Sequence, residues 1–374
     1  MRRLFVTGVP VTGEQLIGRD KELEQLLHLL QTGQSVILIA PRRFGKTSLI
    51  LTALERLKSE GHYVADVDLF GIIDKRKLAE NITASSLENK KIFKFSVKIR
   101  EGISELFKGI EIKQVIEDFE FILKFVEPHT NTDNLLERAL DFPQELAEKD
   151  KKNFFFFYDE FGDIGKFDGE ELLKLMRSKF QRHQQVCYLF AGSYESIMKQ
   201  IFAAEKSAFY KFGRIIELKE ISSEDFMEYI SRKFKEENIH VPTSVIKHLL
   251  EKTRCHPYYT QLLCQYIYYL IKGEKTVVDD DDFLIAYENA FNSEITYLEK
   301  MWEEMSSTLA QLSLLIKIAK GNRKLYSLKN GNDTNINVSR SINSLLRKGI
   351  ICKKDKNNYM IIDPFFEEYL ISKG

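Results

Sequence analysis

The sequence predicts an α/β protein in which helices cover both faces of a mostly parallel sheet, followed by a helical lid subdomain and a C-terminal winged helix. In residues 1–221, short apolar runs alternate with helical patterns, as buried parallel strands and their connecting helices do. Residues 222–305 have a helical pattern throughout, and residues 306–374 have two helical patterns followed by two short strand patterns. We therefore expect three units with these boundaries.

The chain is large enough for more than one hydrophobic core, and it carries no overall charge. It has 374 residues and a mass of 43.7 kDa, and 44% of the residues are hydrophobic. Lys and Arg number 55, and Asp and Glu also number 55. This balance excludes binding of nucleic acid or anionic membrane by the whole surface, so any such contact requires a local patch.

The first unit opens with a loop and a strand–helix–strand segment. The loop is expected up to Pro10, and the helix after it is expected to be capped by Asp20. The apolar run 35–40 predicts a buried strand, and residues 63–69 predict a second one. The helix between these two strands, at about 46–58, completes the unit.

Three more strands are expected after a long insertion. Residues 71–150 are mostly helical in pattern and rich in Lys and Glu, which indicates an insertion or a lid. Strands follow at 153–158, 186–191 and 214–218, with a helix at about 170–182 between the first two. Buried strands that alternate with helices favour parallel pairing.

The last unit is predicted to contain two helices and a two-stranded wing. Helical patterns span about 309–320 and 338–348, and short strands are expected at 349–352 and 359–362. The polar residues 353–358 between these strands predict a hairpin tip. Helices followed by such a hairpin are typical of a winged helix-turn-helix.

The strongest chemical signal lies between the first predicted strand and the helix after it. It matches the phosphate-binding pattern GxxxxGK[ST], with Ala40 in place of the first glycine. Backbone N–H groups at the helix start would face phosphates, Lys46 would neutralise their outer oxygens, and Thr47 would bind Mg²⁺. A strand-to-helix turn with an accidental Gly-Lys-Thr is the alternative interpretation. The loop consists of Pro41, Arg42, Arg43, Phe44, Gly45, Lys46, Thr47 and Ser48.

A second signal follows the predicted strand of four phenylalanines and a tyrosine. This strand carries Asp159 to its carboxyl end, where the carboxylate would hold the Mg²⁺ shell, and Glu160 would polarise an attacking water. A buried strand that ends in a solvated acidic turn explains the same residues without chemistry. The phosphate-binding loop is expected on a neighbouring strand. Together, the two signals predict binding and hydrolysis of a nucleotide.

Five motifs occur in a fixed order along the chain: Gly18-Arg19-Asp20-Lys21-Glu22, the loop 41–48, Tyr158-Asp159-Glu160, Arg254-Cys255-His256-Pro257 and Asp363-Pro364-Phe365-Phe366. Their order and combination resemble the archaeal-type ATPase family, in the STAND branch of the P-loop NTPases, which are relatives of the AAA+ proteins. The resemblance spans about residues 10–370. It implies an ATPase core that uses ATP or ADP and Mg²⁺, a helical lid, a winged helix and a nucleotide-controlled switch.

The resemblance also assigns residues around the nucleotide. It implies that Ile17, Gly18 and Arg19 lie beside the adenine, although a helix-leading turn with a solvated arginine fits the same residue types. It implies that Ser193 occupies a sensor position, from which its hydroxyl contacts the γ-phosphate or the attacking water. A loop serine without such a role is the alternative.

Two further assignments concern a cation and an imidazole. Arg214 resembles an arginine finger that acts in cis or in trans; Lys211 competes for this role, and a surface arginine is the plain alternative. His256 and Pro257 resemble a lid motif that contacts nucleotide phosphates, whereas a His-Pro that only starts a helix explains them without a ligand.

The C-terminal unit concentrates positive charge. Residues 311–374 contain twelve Lys and Arg against five Asp and Glu, a net charge of +7, so the rest of the chain carries −7. Arg340, Ser341, Asn343 and Ser344 would enter a DNA major groove, with the lysines at 353–356 on phosphates. A winged helix that docks a protein is equally compatible. An Orc/Cdc6-like DNA-binding protein with regulatory nucleotide is therefore the alternative function.

The remaining features indicate a cytoplasmic protein. Cys187, Cys255, Cys264 and Cys352 form neither a CxxC pair nor a zinc-site pattern, and we expect reduced thiols. No apolar run reaches membrane-spanning length, and we expect no membrane partner. The sequence leaves open whether the chain forms a homo-oligomer, and no nuclease or protease signature marks it as an effector.

Overall fold

A computed structural model of the chain describes residues 4–89, 132–167, 169–321, 335–355 and 358–374. A central part of the predicted insertion, and residues 356 and 357 of the predicted hairpin tip, lie outside this part of the chain. Among the described residues, no helix is both long enough and apolar enough to cross a membrane.

One parallel sheet organises the first unit. Within the described residues it contains five strands in the order β2-β3-β4-β1-β5. The strands are β1 (Val36–Ile39), β2 (Tyr63–Asp68), β3 (Phe154–Asp159), β4 (Val186–Gly192) and β5 (Arg214–Glu217).

The expectation that the phosphate-binding loop and Asp159 lie on neighbouring strands is wrong. Strand β4 lies between β1 and β3 and pairs with both of them. Strand β3 pairs with β2 on its other side, and local sequence patterns do not encode this lateral order. As a consequence, the residue after β4, Ser193, lies between the two motifs.

The sheet separates two hydrophobic layers because neighbouring side chains of a strand point to opposite faces. The helices of this unit are α1 (Asp20–Gln31), α2 (Lys46–Ser59), α3 (Lys75–Leu87), α4 (Thr132–Asp150), α5 (Gly169–Phe180) and α6 (Glu195–Phe202). Phe155 and Phe157 pack with α1 and α2, whereas Phe154 and Phe156 pack with α3 and α4. Asp20 is the first residue of α1 and does not cap it; Arg19 occupies the N-cap position.

Five helices form the segment that follows, which we call the helical segment (residues 222–305). They are α7 (Ser223–Glu236), α8 (Thr243–Thr253), α9 (Pro257–Ile271), α10 (Asp280–Ser293) and α11 (Ile295–Ser306). Pro257 starts α9, where a missing N–H costs nothing. The segment packs into the same hydrophobic cluster as the residues after 306, so the boundary at 305 divides a shared core.

The C-terminal segment (residues 306–374) contains α12 (Leu309–Ala319), α13 (Asn335–Arg347), β6 (Ile351–Asp355), β7 (Asn358–Ile361) and α14 (Pro364–Lys373). The antiparallel pair β6–β7 lies where the hairpin was expected, and β6 extends into the predicted tip. Helix α14 was not predicted. Ser341 is buried and Ser344 accepts a hydrogen bond from Gln311, so neither faces outward as a groove-reading residue would.

Candidate functional site

A cavity of about 660 Å³ opens between the carboxyl edge of the sheet and the first turn of α9. Three parts of the chain form its walls. The sheet side contributes Arg42–Ser48 of the loop together with Asp159, Glu160 and Ser193, the N-terminal side contributes residues 6–11, and α9 contributes Pro257, Tyr258 and Gln261. The sequence-predicted loop and acidic residues therefore meet at one site.

The loop between β1 and α2, which we call the phosphate loop (residues 41–48), is shaped for an anion. Gly45 has φ 85°, a left-handed conformation that favours glycine, and it precedes the first turn of α2. The first N–H groups of a helix have no partner within the helix, and residues 46–48 of this turn line the cavity. A phosphate at this helix start would receive backbone donors and the favourable end of the helix dipole.

Lys46 is folded back onto the loop. Its Nζ donates to the carbonyl oxygens of Ala40 (2.9 Å) and Pro41 (3.0 Å) and to Ser193 Oγ (3.1 Å). Burial lowers the pKa of the Lys46 ammonium to about 8, against the opposing attraction of Glu160 and Asp159. A buried cation with weak neutral partners is poised to exchange them for phosphate oxygens.

Thr47 and Asp159 bring a hydroxyl oxygen and a carboxylate together at the cavity. Thr47 Oγ1 donates to Asp159 Oδ2 at 2.7 Å, and Asp159 Oδ1 accepts from the Glu160 N–H at 2.9 Å. Burial raises the pKa of the Asp159 carboxyl, a change that a bound cation would reverse. The described residues contain no group of three or more His, Cys, Asp or Glu side chains placed to hold a metal ion. A hydroxyl and one carboxylate suit Mg²⁺, which keeps waters and phosphates as its other ligands.

Glu160 is held by Ser193. The Ser193 hydroxyl donates to Glu160 Oε1 at 2.6 Å, and the Ser193 N–H donates to Oε2 at 3.1 Å. Glu160 itself has φ 46°, a strained value for a residue with a side chain. Because Ser193 Oγ also accepts from Lys46, the three side chains form one connected chain of hydrogen bonds across β4.

The residues before α1 occupy the far wall. Ile17 and Arg19 line the cavity, whereas Gly18 packs against Ile221 and Asp225, where a Cβ atom would lie 2.7 Å from Ile221 Cγ2. Arg19 is buried rather than solvated, and Nη2 donates to the Phe44 carbonyl at 3.4 Å. Burial lowers the pKa of this guanidinium, and Glu22 opposes the effect. Arg19 thus lines the cavity and contacts the phosphate loop through the Phe44 carbonyl.

The two arginines of the phosphate loop point in different directions. Arg42 is exposed, and its guanidinium lies 5.4 Å from the centre of the Tyr194 ring. Arg43 extends to the helical segment, where Nη1 lies 3.3 Å from Glu294 Oε2. The sequence predicted both as phosphate contacts and did not distinguish them.

His256 lies behind the phosphate loop and does not line the cavity; Pro257 does. Its ring packs against those of Phe44 and Tyr259, with centroids at 5.0 and 4.9 Å. Burial lowers the pKa of His256 to about 3, with further effect from the charges of Arg43 and Arg254. The imidazole is therefore neutral and contacts the loop through Phe44 rather than through a charge.

The buried neutral state of His256 predicts a pH dependence of stability. The unfolded chain protonates this residue near pH 6.5, whereas the folded chain does not until about pH 3. The free energy of unfolding should therefore fall as the pH decreases below about 6.5, by at most ~1.4 kcal/mol per pH unit from this residue. His256→Gln should flatten that slope in thermal unfolding followed by circular dichroism. The exposed His28→Gln is the control and should keep it; equal slopes in both variants would contradict the assignment.

Arg214 and Lys211 are not brought to the cavity. Arg214 pairs with Val36, at the amino end of β1, while the phosphate loop leaves the carboxyl end of the same strand. The length of β1, about 10 Å at 3.3 Å per residue, therefore separates the two positions. Lys211 is exposed, and its Nζ lies 5.0 Å from the centre of the Tyr210 ring. A role of Arg214 in cis has no support in this geometry.

Some lining residues were missed by sequence reasoning. Gln261 lies one turn after Pro257 on α9, so helical spacing from the predicted His-Pro motif would have indicated it. Tyr258 adjoins the same motif. The wall formed by residues 6–11 had no sequence signal, because its position depends on contacts such as that of the Val11 N–H with Ser48 Oγ at 3.1 Å.

Comparison with protein families agrees with this site. A family model described as an ATPase domain predominantly from Archaea matches residues 16–246. The chain belongs to this family. The matched residues of this ATPase-family chain include the phosphate loop, Asp159, Glu160 and Ser193, and membership supports ATPase activity in general. No curated protein sequence matches the chain.

Solved archaeal structures share the fold of this ATPase-family chain. The Walker-type ATPase PABY2304 of Pyrococcus abyssi is 18% identical, with 98% of this chain and 99% of that chain covered and a TM-score of 0.73. The ORC2 protein of Aeropyrum pernix, in ADPNP–ADP complexes, is 13% identical over 99% of this chain and 96% of that chain, with a TM-score of 0.63. At these identities the similarity establishes the fold alone.

Proposed function

We propose that this chain is an ATP-binding, slowly ATP-hydrolysing molecular switch of the STAND type, with a C-terminal winged helix as its interaction domain. One observation carries the proposal: a single cavity is lined by the phosphate loop, by Asp159 and Glu160, and by Tyr258 of the helical segment. A ligand that fills this cavity contacts the sheet and the helical segment together. Its presence would therefore favour one relative arrangement of the two.

The proposed roles follow from the contacts. Lys46 and the α2 start would bind phosphates, while Thr47 and Asp159 would hold Mg²⁺, which when bound neutralises phosphate charge. Glu160 would orient and deprotonate water once Ser193 turns from the carboxylate towards a phosphate oxygen. Ile17 and the wall formed by residues 6–11 would surround the adenine base of the nucleotide. Arg214 remains as a candidate only for action in trans, which would require a homo-oligomer.

Removal of the metal tests the proposal. Purified protein with Mg²⁺ and ATP should release phosphate slowly, and excess EDTA should stop release while the protein stays folded by circular dichroism. Thr47→Ala should raise the Mg²⁺ concentration needed for half-maximal phosphate release, because it removes one of the two proposed ligands. Thr52→Ala, in the next turn of α2, is the control. Its hydroxyl bonds only Ser48 O among the described residues, and it should leave the Mg²⁺ dependence unchanged. Release at an equal rate in EDTA would contradict the proposal.

An Orc/Cdc6-like DNA-binding protein is the second candidate. The observation in its favour is the +7 charge of residues 311–374, with Lys353 and Lys354 exposed on β6. Such a protein should be retained on DNA in a salt-dependent manner, and Lys353→Glu with Lys354→Glu should reduce retention. ATP hydrolysis without any DNA retention would eliminate this candidate. The four cysteines, unpaired in the structure, are compatible with the proposed cytoplasmic location.

A further inference from the structure

Arg43 belongs to the phosphate loop, but its side chain is held by the helical segment. Its guanidinium carbon lies 3.9 Å from the centre of the Tyr258 ring and 4.9 Å from that of Tyr297. Its Nη1 lies 3.3 Å from Glu294 Oε2. The residue has φ 63°, a left-handed conformation that is uncommon for residues other than glycine.

Two of the groups that contact Arg43, Tyr258 and Glu294, also contact each other. Tyr258 Oη donates to Glu294 Oε1 at 2.6 Å, so one carboxylate serves both the arginine and the tyrosine. Tyr258 is the second residue of α9 and lines the cavity, while Glu294 lies between α10 and α11. The Arg43 side chain, which stays 39% exposed, thus packs against an aromatic and acidic socket, which we define as Tyr258, Glu294 and Tyr297.

The first turn of α9 continues this connection to the end of the chain. Tyr259 Oη donates to Asp363 Oδ2 at 2.5 Å, directly before α14. In the turn before α9, the Arg254 guanidinium donates to the Ile361 carbonyl at 2.9 Å and pairs with Glu367 at 2.8 Å. A change in the position of α9 therefore reaches both β7 and α14.

We propose that Arg43 is a positioning residue that couples the phosphate loop to the C-terminal segment through the socket and α9. The inference rests on the proposed nucleotide-binding function. In this arrangement Lys46 binds the phosphates, and the resulting change in loop conformation acts on Tyr258 through the Arg43 guanidinium packed against its ring. The same residue then sets how strongly nucleotide orders residues 359–370, since coupling between two sites acts in both directions.

Hydrogen exchange with and without ADP tests the coupling. In the wild type, ADP should slow amide exchange in the first turn of α9 and in residues 359–370. Arg43→Ala should abolish the effect of ADP on 359–370 and weaken ADP binding by no more than about tenfold, the scale of one cation–π contact and one partly exposed ion pair. Arg43→Lys should restore part of the effect, because it keeps a cation in the socket.

Two matched variants complete the test. Arg232→Ala, which removes an exposed arginine over the Tyr229 ring of α7 and outside the cavity, should keep the ADP effect on 359–370. Glu294→Gln should lose it as Arg43→Ala does, and it serves where Arg43→Ala fails to fold. Full ADP-dependent protection of 359–370 in both Arg43→Ala and Glu294→Gln would overturn the inference. A loss of ADP affinity of about 100-fold or more in Arg43→Ala would also overturn it, because such a loss indicates that Arg43 binds phosphate directly. Failure of the wild type to bind ADP would instead refute the proposed function itself.

Discussion

Replacement of Lys46 by alanine should abolish measurable nucleotide binding. The ammonium is buried at the start of α2 and has only two carbonyl oxygens and the Ser193 hydroxyl as hydrogen-bond partners within the described residues. Phosphate oxygens would replace these partners, so the substitution removes a charge-assisted contact that no neighbour supplies. We expect a loss of affinity for ADP of about 100-fold or more by equilibrium titration, since contacts of buried charges are worth several kcal/mol.

The matched control for this experiment is Lys58→Ala. Lys58 lies in the last turn of the same helix and is exposed, so its removal should leave affinity unchanged. The pKa of Lys46, lowered by burial to about 8, adds a second signature. Above pH 8 the free protein loses the ammonium, and wild-type affinity should fall with rising pH by up to about tenfold per pH unit. Normal ADP affinity in Lys46→Ala would refute the assignment of residues 41–48 as a phosphate-binding loop.

Replacement of Glu160 by glutamine should preserve nucleotide binding and stop turnover. The amide keeps the shape of the carboxylate and can still accept from the Ser193 N–H, now 3.1 Å from Oε2, so the site should remain intact. It cannot take a proton from water. We expect ATP affinity within about threefold of the wild type and a turnover number at least about 100-fold lower, the usual scale for loss of a general base.

A second Glu→Gln substitution separates this role from a general charge effect. Glu195 begins α6, two residues after Ser193, and pairs with Lys199 at the surface. Glu195→Gln should hydrolyse ATP at the wild-type rate. Single-turnover measurements with both variants would locate the defect in the chemical step. An unchanged hydrolysis rate in Glu160→Gln would remove Glu160 from catalysis.

Local patterns were sufficient for the strands and for the central site residues. Residues 35–40 and 153–158 are apolar without interruption because both faces of a parallel sheet are buried, and the structure places β1 and β3 there. The Gly45–Thr47 turn and Asp159 follow directly at the carboxyl ends of these strands. Parallel strands end at one edge of the sheet, so the motifs had to lie on the same side of the molecule.

The lateral order of the strands and the direction of each long side chain could not be obtained in this way. Because β4 lies between β1 and β3, Ser193 at its end contacts both Glu160 and Lys46. The prediction that β1 and β3 are neighbours did not allow for a residue between them. Arg214 lies on β5, where a strand was predicted, but at the amino end of that strand, away from the phosphate loop. Register and strand order follow from the packing of the whole sheet, and a local pattern contains neither.

The sequence by itself therefore determined the α/β fold class and the positions of residues 41–48 and of Asp159 and Glu160 at the ends of their strands, since each depends on a few consecutive residues and their secondary structure. Only the tertiary structure decided that Arg43 turns to Glu294 while its neighbour Arg42 turns to Tyr194. Two adjacent arginines have the same local propensities, and the partners that separate them lie about 250 and 150 residues further along the chain. Long-range contacts select between side-chain directions that local sequence leaves equal.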